Sequence, residues 1–550
     1  MGESLEQPVR KTVSRLSRRT KWLLAAGAAT VVLVVALVIA GYVVASRFEP
    51  YVRAQVIAYL QDRFDSEAEI SSLHVRMPRA SLLHTYFTRG RGMIATVEGD
   101  GVVLRHKGRR DVPPIFSMKD FRFDVDLGTV FDPVKVVQLV TVDGMQINIP
   151  PAGERPDLGS NDTANSAAAE AAEAEASDVR LERVVITNAV LTILPKDKKK
   201  VPLQFDIHRL RLSYAGRNTG MQYDGELTNA KPRGDIVSAG TFGPWNADEP
   251  GDSPLKGSYT FKNADLSVFP AIGGMLESSG QFEGTLSAVN VRGEANVPDF
   301  RLKQSGNHVA LRTRFEVRVD GTNGDTILKP VTGAIGSTTF TTSGGIIRRE
   351  HGLPRTVSLN VSIPSGNLRD LLALAMKGPP FMEGRVSLKT KIDIPPLTGS
   401  VREKLLLNGQ FEVSQGRFFK STVQDQIDMM SRRGRGQPGN EDIKRVVSAM
   451  AGKFNLANER ITFTPLSFAV PGSGVDLSGT YDLARDTLDF HGTLKLQARV
   501  SETMTGWKRW VLKPVDPFFA KQGAGTLLHI QVVGTSKEPK FGRDRGDRDD

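Results

Sequence analysis

The chain has 550 residues, 39% hydrophobic and 24% charged, enough to bury sizeable cores in about two to four domains. It has no cysteine, which excludes disulfides, thiolate metal sites and cysteine nucleophiles, so the folded chain is held by packing and sheet ladders alone. Part of the formal charge of +11 sits at the amino end, where Arg10, Lys11, Arg15, Arg18, Arg19 and Lys21 face only Glu3 and Glu6; the remainder is mildly basic and no nucleic-acid partner is expected.

Residues 1–21 read as a basic cytoplasmic leader. The uncharged run Trp22 to Ser46 follows. About 25 residues at 1.5 Å each exceed a ~30 Å hydrocarbon layer, so the run reads as an uncleaved single-pass anchor. The basic residues before it place the amino end in the cytoplasm and the bulk of the chain in the periplasm. From Phe48 to Phe64, the residues Phe48, Val52, Val56, Tyr59, Leu60 and Phe64 share one helical face, which predicts an amphipathic helix at the start of a first β region, 47–151.

From Ile70 the period changes to two. Phe121, Phe123, Val125 and Leu127 alternate with charged residues, and the same pattern recurs in Phe205, Ile207, Leu210, Leu212 and Tyr214, in Phe315, Val317 and Val319, and in Val386, Leu388, Ile392 and Ile394. A weak repeat links Val140 to Pro150 with Val184 to Pro195 and predicts a repeated hairpin-like unit. Glycine flanked by apolar residues recurs at Gly225, Gly257, Gly409, Gly479 and Gly492, predicting bends or close approach in one long curved sheet or in separate sandwiches. Residues 152–178 are rich in Ala, Glu, Ser and Asn and read as a flexible insertion, as does the tail 542–550. Between them lie a central β region, 179–400, and a carboxyl-terminal region, 401–541. Short helices are expected at Leu368 to Met376, Val423 to Met430 and Ile443 to Met450.

No catalytic constellation stands out. Gly434, Gly436 and Gly439 match a dinucleotide fingerprint by letter, but no apolar strand leads into them and Pro438 interrupts them. The eight histidines are scattered, so neither a metal nor another cofactor is expected. Near the end, Met504, Trp507 and Val511 share a helical face beside Trp510, with Lys508, Arg509 and Lys513 close by and Phe518 and Phe519 following. That composition suits a membrane-interface anchor or an end cap.

The anchor, the adjoining helix and Val142 to Ile149 resemble the opening of the AsmA-like family. Phe454 to Asp482 and Val533 to Gly542 resemble its carboxyl-terminal region, and Gly240 to Trp245 and Val515 to Thr526 resemble an acidobacterial-type branch. The resemblance implies a mostly β fold: an elongated, curved antiparallel groove with short capping helices, anchored in the inner membrane and reaching towards the outer membrane or a partner protein there. It implies phospholipids as cargo, acyl chains shielded by the apolar face, and no catalysis. Roughly 25 to 30 strands at ~4.8 Å would give about 120 to 145 Å of groove. The lining candidates are Phe121, Phe123, Val125, Leu127, Ile147, Ile149, Leu191, Ile193, Phe205, Ile207, Phe315, Val317, Val319, Leu388 and Ile392. Two rival expectations are an envelope-assembly scaffold of β-sandwiches, and a glycan- or lipid-modifying enzyme built on separated carboxylates.

Overall fold

The computed structural model describes residues 57, 66–76, 93–106, 108–129, 134–150, 178–194, 201–215, 220–244, 249–322, 324–348, 355–396, 400–499, 503, 526–536 and 538–544. The expected anchor, all of the amphipathic helix but Ile57, the insertion apart from Asp178, and the Trp507 region lie outside them. The described chain is mostly β, with 25 strands in a mixed sheet. Its residues fall into two compact units, the first comprising Met1–Lys262, Gly280–Asn290 and Val319–Gly324, the second all others.

Unit 1 holds β1 (Ser66–Arg76), β2 (Ile94–His106), β3 (Phe116–Asp126), β4 (Val134–Asp143), β5 (Gln146–Ile149), β6 (Asp178–Ile193), β7 (Leu203–Ala215), β8 (Met221–Ala230), β9 (Arg233–Phe242) and most of β10 (Pro254–Asp265). Neighbours pair antiparallel except that β4 and β5 both pair with β6 in parallel. This corrects the expected antiparallel sheet. It also corrects the hairpin reading of the repeat: Val140 pairs with Val184 and Gln146 with Val190, so the two copies lie side by side in register as kinked strands. Gly144 and Asn188 occupy equivalent places and both are left-handed, with φ of 64° and 51°. Asp143 joins them, its Oδ1 accepting from Thr187 Oγ1 at 2.6 Å and Asn188 Nδ2 at 2.8 Å.

These kinks belong to a crease that crosses the strands through Ser71, Gly101, Lys119, Gly144 and Asn188. The ladders skip Ser71 opposite Gly101, and a Cβ on Gly144 would meet Lys119 Cβ at 2.9 Å. Residue parity reverses at the crease. In β2, Ala95 and Val97 are odd while Val102 and Leu104 are even, yet all four are buried; in β6, Val184 and Ile186 precede the kink and Ala189 follows it. A flat strand would send the two sets to opposite faces. The left-handed residue turns the chain so that both arms face one core. That core includes Ile70, Val97, Phe121, Phe123, Val140 and Ile186, each at most 4% exposed.

The next strands are β11 (Ile272–Gly273), β12 (Met275–Thr285), β13 (Ala288–Leu302) and β14 (Val309–Val319), the last three divided between the units. Unit 2 continues with β15 (Thr326–Ile335), β16 (Thr338–Ile347), β17 (Thr356–Asn367), α1 (Leu368–Ala375), β18 (Met382–Ile394), α2 (Val401–Lys404), β19 (Leu406–Phe418), α3 (Ser421–Gly434), β20 (Ser448–Ala457), β21 (Arg460–Val470), β22 (Ser473–Asp482), β23 (Thr487–Leu496), β24 (Thr526–Thr535) and β25 (Pro539–Arg543). From β15 to β25 every neighbour in sequence pairs antiparallel. The β20–β21 hairpin closes through Asn458 and Glu459, both at positive φ, the turn that matches strand twist. Strand β25 extends to Arg543, into the segment expected to be a tail.

Helices α1 and α3 match two of the three expected helices. Residues 443–450 do not form the third. Arg445 has φ 55°, and the backbone N–H groups of Arg445 and Val446 both donate to the Asp428 carboxylate at 2.8 Å. Gln424 Nε2 donates to the Val446 carbonyl, so the segment is pinned open and strand β20 begins at Ser448.

Candidate functional site

Unit 2 divides cleanly into an apolar and a polar face. From β17 to β24 one register row reads Ile363, Leu388, Phe411, Gly452, Leu466, Leu477, Gly492, Ile530. The next reads Val361, Thr390, Gly409, Phe454, Phe463, Gly479, Phe490, Val532, and a third reads Leu359, Ile392, Leu407, Leu456, Ile461, Tyr481, Leu488. Between these rows the other face carries Asn360, Lys391, Asn408, Asn455, Thr462, Thr480 and Asp489. Alternation over eight strands therefore builds a continuous apolar surface about 34 Å long, from seven intervals of ~4.8 Å.

The glycines have a specific place on it. A Cβ on Gly409 would meet Phe454 Cζ at 2.9 Å, and one on Gly452 would meet Phe411 Cε1 at 3.1 Å. Each glycine is directly opposite the phenylalanine whose ring lies over it, as Gly99 is opposite Phe121 and Gly333 opposite Phe340. The ring covers backbone that a glycine would leave bare. Rings then run from strand to strand: Phe454 to Phe411 at 6.3 Å, Phe411 to Phe463 at 6.4 Å, and Phe463 to Phe490 at 5.9 Å between centroids.

This surface is not a closed core. Leu388, Ile392, Phe411, Phe454, Phe463, Leu477 and Ile530 all keep partial exposure, while Ile363, Leu456 and Phe490 of the same rows are buried, and the described residues of unit 2 form no second sheet. Among the described residues one margin is sealed, where Leu368, Leu371 and Leu372 of α1 pack on Met382, Val386 and Val413. Contiguous apolar surface of this extent is uncommon on a folded protein.

The expected lining residues thus fall into two environments. Phe121, Phe123, Val125 and Ile149 are at most 3% exposed and belong to the packed core of unit 1, with Ile147 and Ile207 against it. Leu191, Ile193 and Phe205 share that face and are partly exposed, while Leu127 begins a short 3-10 turn after β3. Phe315 and Val317 on β14 fall in unit 2, Val319 in unit 1, all partly exposed. Leu388 and Ile392 lie in the open apolar rows. Sequence reasoning missed the longer part of the surface, Phe411, Phe454, Phe463, Leu477 and Ile530, although Gly409, Gly479 and Gly492 were the signal that could have found it. Met504, Trp507, Trp510, Val511, Phe518 and Phe519 lie outside the described residues.

The polar hollows have different chemistry. On the polar face of unit 2 a hollow of about 860 Å3 is lined by Lys389, Lys391, Lys453, Asn408, Gln410 and neighbouring hydroxyls, with no carboxylate. A smaller one in unit 1, about 370 Å3, holds Glu98, Asp100, Asp120 and Asp143. Here Glu98 pairs with Arg76 at 2.9 Å and Arg122 at 3.6 Å, and Lys119 reaches Asp120 at 3.5 Å. Hydrogen bonds from Thr187 and Asn188 hold the Asp143 carboxyl below its ordinary range, which favours the ionised form. Among the described residues no cluster of three or more His, Asp or Glu is placed to hold a metal ion, and no helix is long and apolar enough to cross a membrane.

Comparison with protein families, curated proteins and solved structures returns no match.

Proposed function

We propose that the protein is an inner-membrane-anchored, periplasmic, AsmA-like lipid carrier, whose unit 2 shields phospholipid acyl chains on its apolar face during transport to, or assembly of, the outer membrane. The observation that carries this reading is the partly exposed apolar surface from β17 to β24. Each methylene transferred from water to such a surface gains ~0.8 kcal/mol, so a diacyl lipid that leaves a bilayer needs a cover of this kind. A surface about 34 Å long exceeds an extended acyl chain. The headgroup would remain in solvent at the rim, and no reacting group is required. A sandwich scaffold would bury the same residues beneath a second sheet, an arrangement absent from the described part of unit 2.

Mass spectrometry of lipids retained by the full chain, purified from a bacterial envelope and exchanged out of detergent, tests this. Several diacyl phospholipids per chain are expected. A folded chain that retains none would turn the reading towards the scaffold.

A further inference from the structure

One rim of unit 2 gathers apolar side chains that packing leaves out. Phe381, just before β18, is 45% exposed, and Phe419, just after β19, is 50% exposed. The ladder brings them together: Met382 pairs with Phe418, and the Phe419 N–H donates to the Phe381 carbonyl at 3.0 Å. Phe381 stacks on Phe418 at 6.1 Å between centroids. Met429 on α3 and Val447 before β20 are exposed as well, at 39% and 38%.

Four exposed cations lie close to the rings in the chain. The Arg369 guanidinium lies 5.9 Å from the centre of the Phe419 ring, Arg417 directly precedes Phe418, Lys420 directly follows Phe419, and Lys377 comes four residues before Phe381. None of the four has a carboxylate within 4 Å among the described residues, whereas Lys329, Arg460 and Lys495 of unit 2 each reach one on another strand. The carboxylates on this rim are Asp370, Asp425 and Glu383. Asp370 is taken by the Ser337 N–H at 2.9 Å and by the hydroxyls of Ser337 and Thr338 at 2.7 and 2.9 Å. Glu383 faces Arg417 in the ladder without an ion pair.

Aromatic rings beside unpaired Lys and Arg are what the headgroup layer of a bilayer accommodates. The four apolar side chains offer on the order of 300 Å2, well under the ~800 Å2 per partner of a stable protein interface. We propose that this rim docks on the surface of an anionic lipid bilayer, with Phe381 and Phe419 at acyl-headgroup depth and Arg369, Lys377, Arg417 and Lys420 on the phosphates. The contact is independent of whether the apolar face carries lipid.

The absence of native cysteine makes the test direct. Thr422→Cys, exposed on the first turn of α3, carries an environment-sensitive fluorophore in the full chain held in amphipol; a label at Thr462→Cys on the polar face is the control. Phosphatidylcholine vesicles are added with and without one third phosphatidylglycerol. A blue shift at position 422 with anionic vesicles alone, absent at 462, is expected. Arg417→Gln with Lys420→Gln should weaken it about thirtyfold, and Phe381→Ser with Phe419→Ser should remove it while the circular dichroism of the chain is unchanged. A label that stays in water beside anionic vesicles overturns the proposal, and so does an equal shift with neutral vesicles. A shift that needs no lipid and grows with protein concentration would instead assign the rim to a second copy of the chain.

Discussion

Charging the apolar face of unit 2 separates carriage of lipid from stability of the fold. Leu388 and Phe463 lie in adjacent register rows, both partly exposed, in the interior of the surface. In Leu388→Asp with Phe463→Asp each carboxylate keeps access to water in the empty protein, so the fold should lose only about 1 to 2 kcal/mol per site. With acyl chains in place, each carboxylate displaces contact with two or three methylenes at ~0.8 kcal/mol each, about 2 kcal/mol per site and about 4 kcal/mol together. That is roughly a thousandfold loss of lipid affinity. The assay is the ratio of phospholipid to protein in the purified full chain, beside its thermal unfolding. Phe123→Asp provides the contrast: at 0% exposure its carboxylate has no route to water, and unit 1 should unfold. A folded double variant that retains the wild-type amount of lipid would refute the assignment of these rows to acyl chains.

Other outcomes follow from single contacts. Gly409→Val should destabilise unit 2 by about 2 to 4 kcal/mol in denaturant unfolding, because its side chain meets the Lys389 carbonyl at 2.5 Å as well as the Phe454 ring. Asn188→Gly should be close to neutral, while Asn188→Val should cost about 1 to 2 kcal/mol at φ 51°; equal stabilities would remove the kink as a constraint. The His491 ring lies with Nδ1 2.7 Å from an Asp544 carboxylate oxygen and Nε2 3.1 Å from one of Asp489, both of which accept from the protonated ring, and Asp544 foremost raises its pKa. A raised folded-state value means that its stabilisation is complete below the ordinary value of 6.5 and fades as pH rises through the folded one. The protection factors of β25 amides, that is, exchange corrected for its intrinsic pH dependence, should therefore fall as pH rises beyond 6.5 in the wild type and stay level in His491→Asn.

Much of this was legible in the sequence, for identifiable reasons. The alternation of Phe121, Phe123 and Val125, or of Leu388 and Ile392, is a local property and placed strands correctly. The 44-residue repeat was visible, but its meaning was not: two similar kinked segments can form hairpins or lie in parallel, and only the long-range ladder from Val140 to Val184 decides. The crease was hidden because Asn188 reads as an ordinary turn residue and the reversal of parity resembles an irregular strand. Residues 443–450 have helical spacing of apolar side chains, yet the buried carboxylate of Asp428, supplied by another helix, takes the N–H groups a helix would use. Whether an apolar row becomes core or open surface depends on what folds over it, so Phe123 and Leu388 look alike in the sequence and differ in their surroundings.

The parallel register of unit 1 sets a length requirement on the chain. Ile149 ends β5 beside Ile193, and Asp178 begins β6 beside Val134, so the connection must return past fifteen residue positions, from 149 back to 134. At ~3.3 Å per position that is at most about 50 Å, which an extended chain covers in about 15 residues. The connection from 150 to 177 has 28 (177 − 150 + 1). Its composition carries no packing information, but its length is a mechanical specification. About a dozen residues could be removed without consequence, and trimming much beyond that would pull one copy of the repeat out of step with the other.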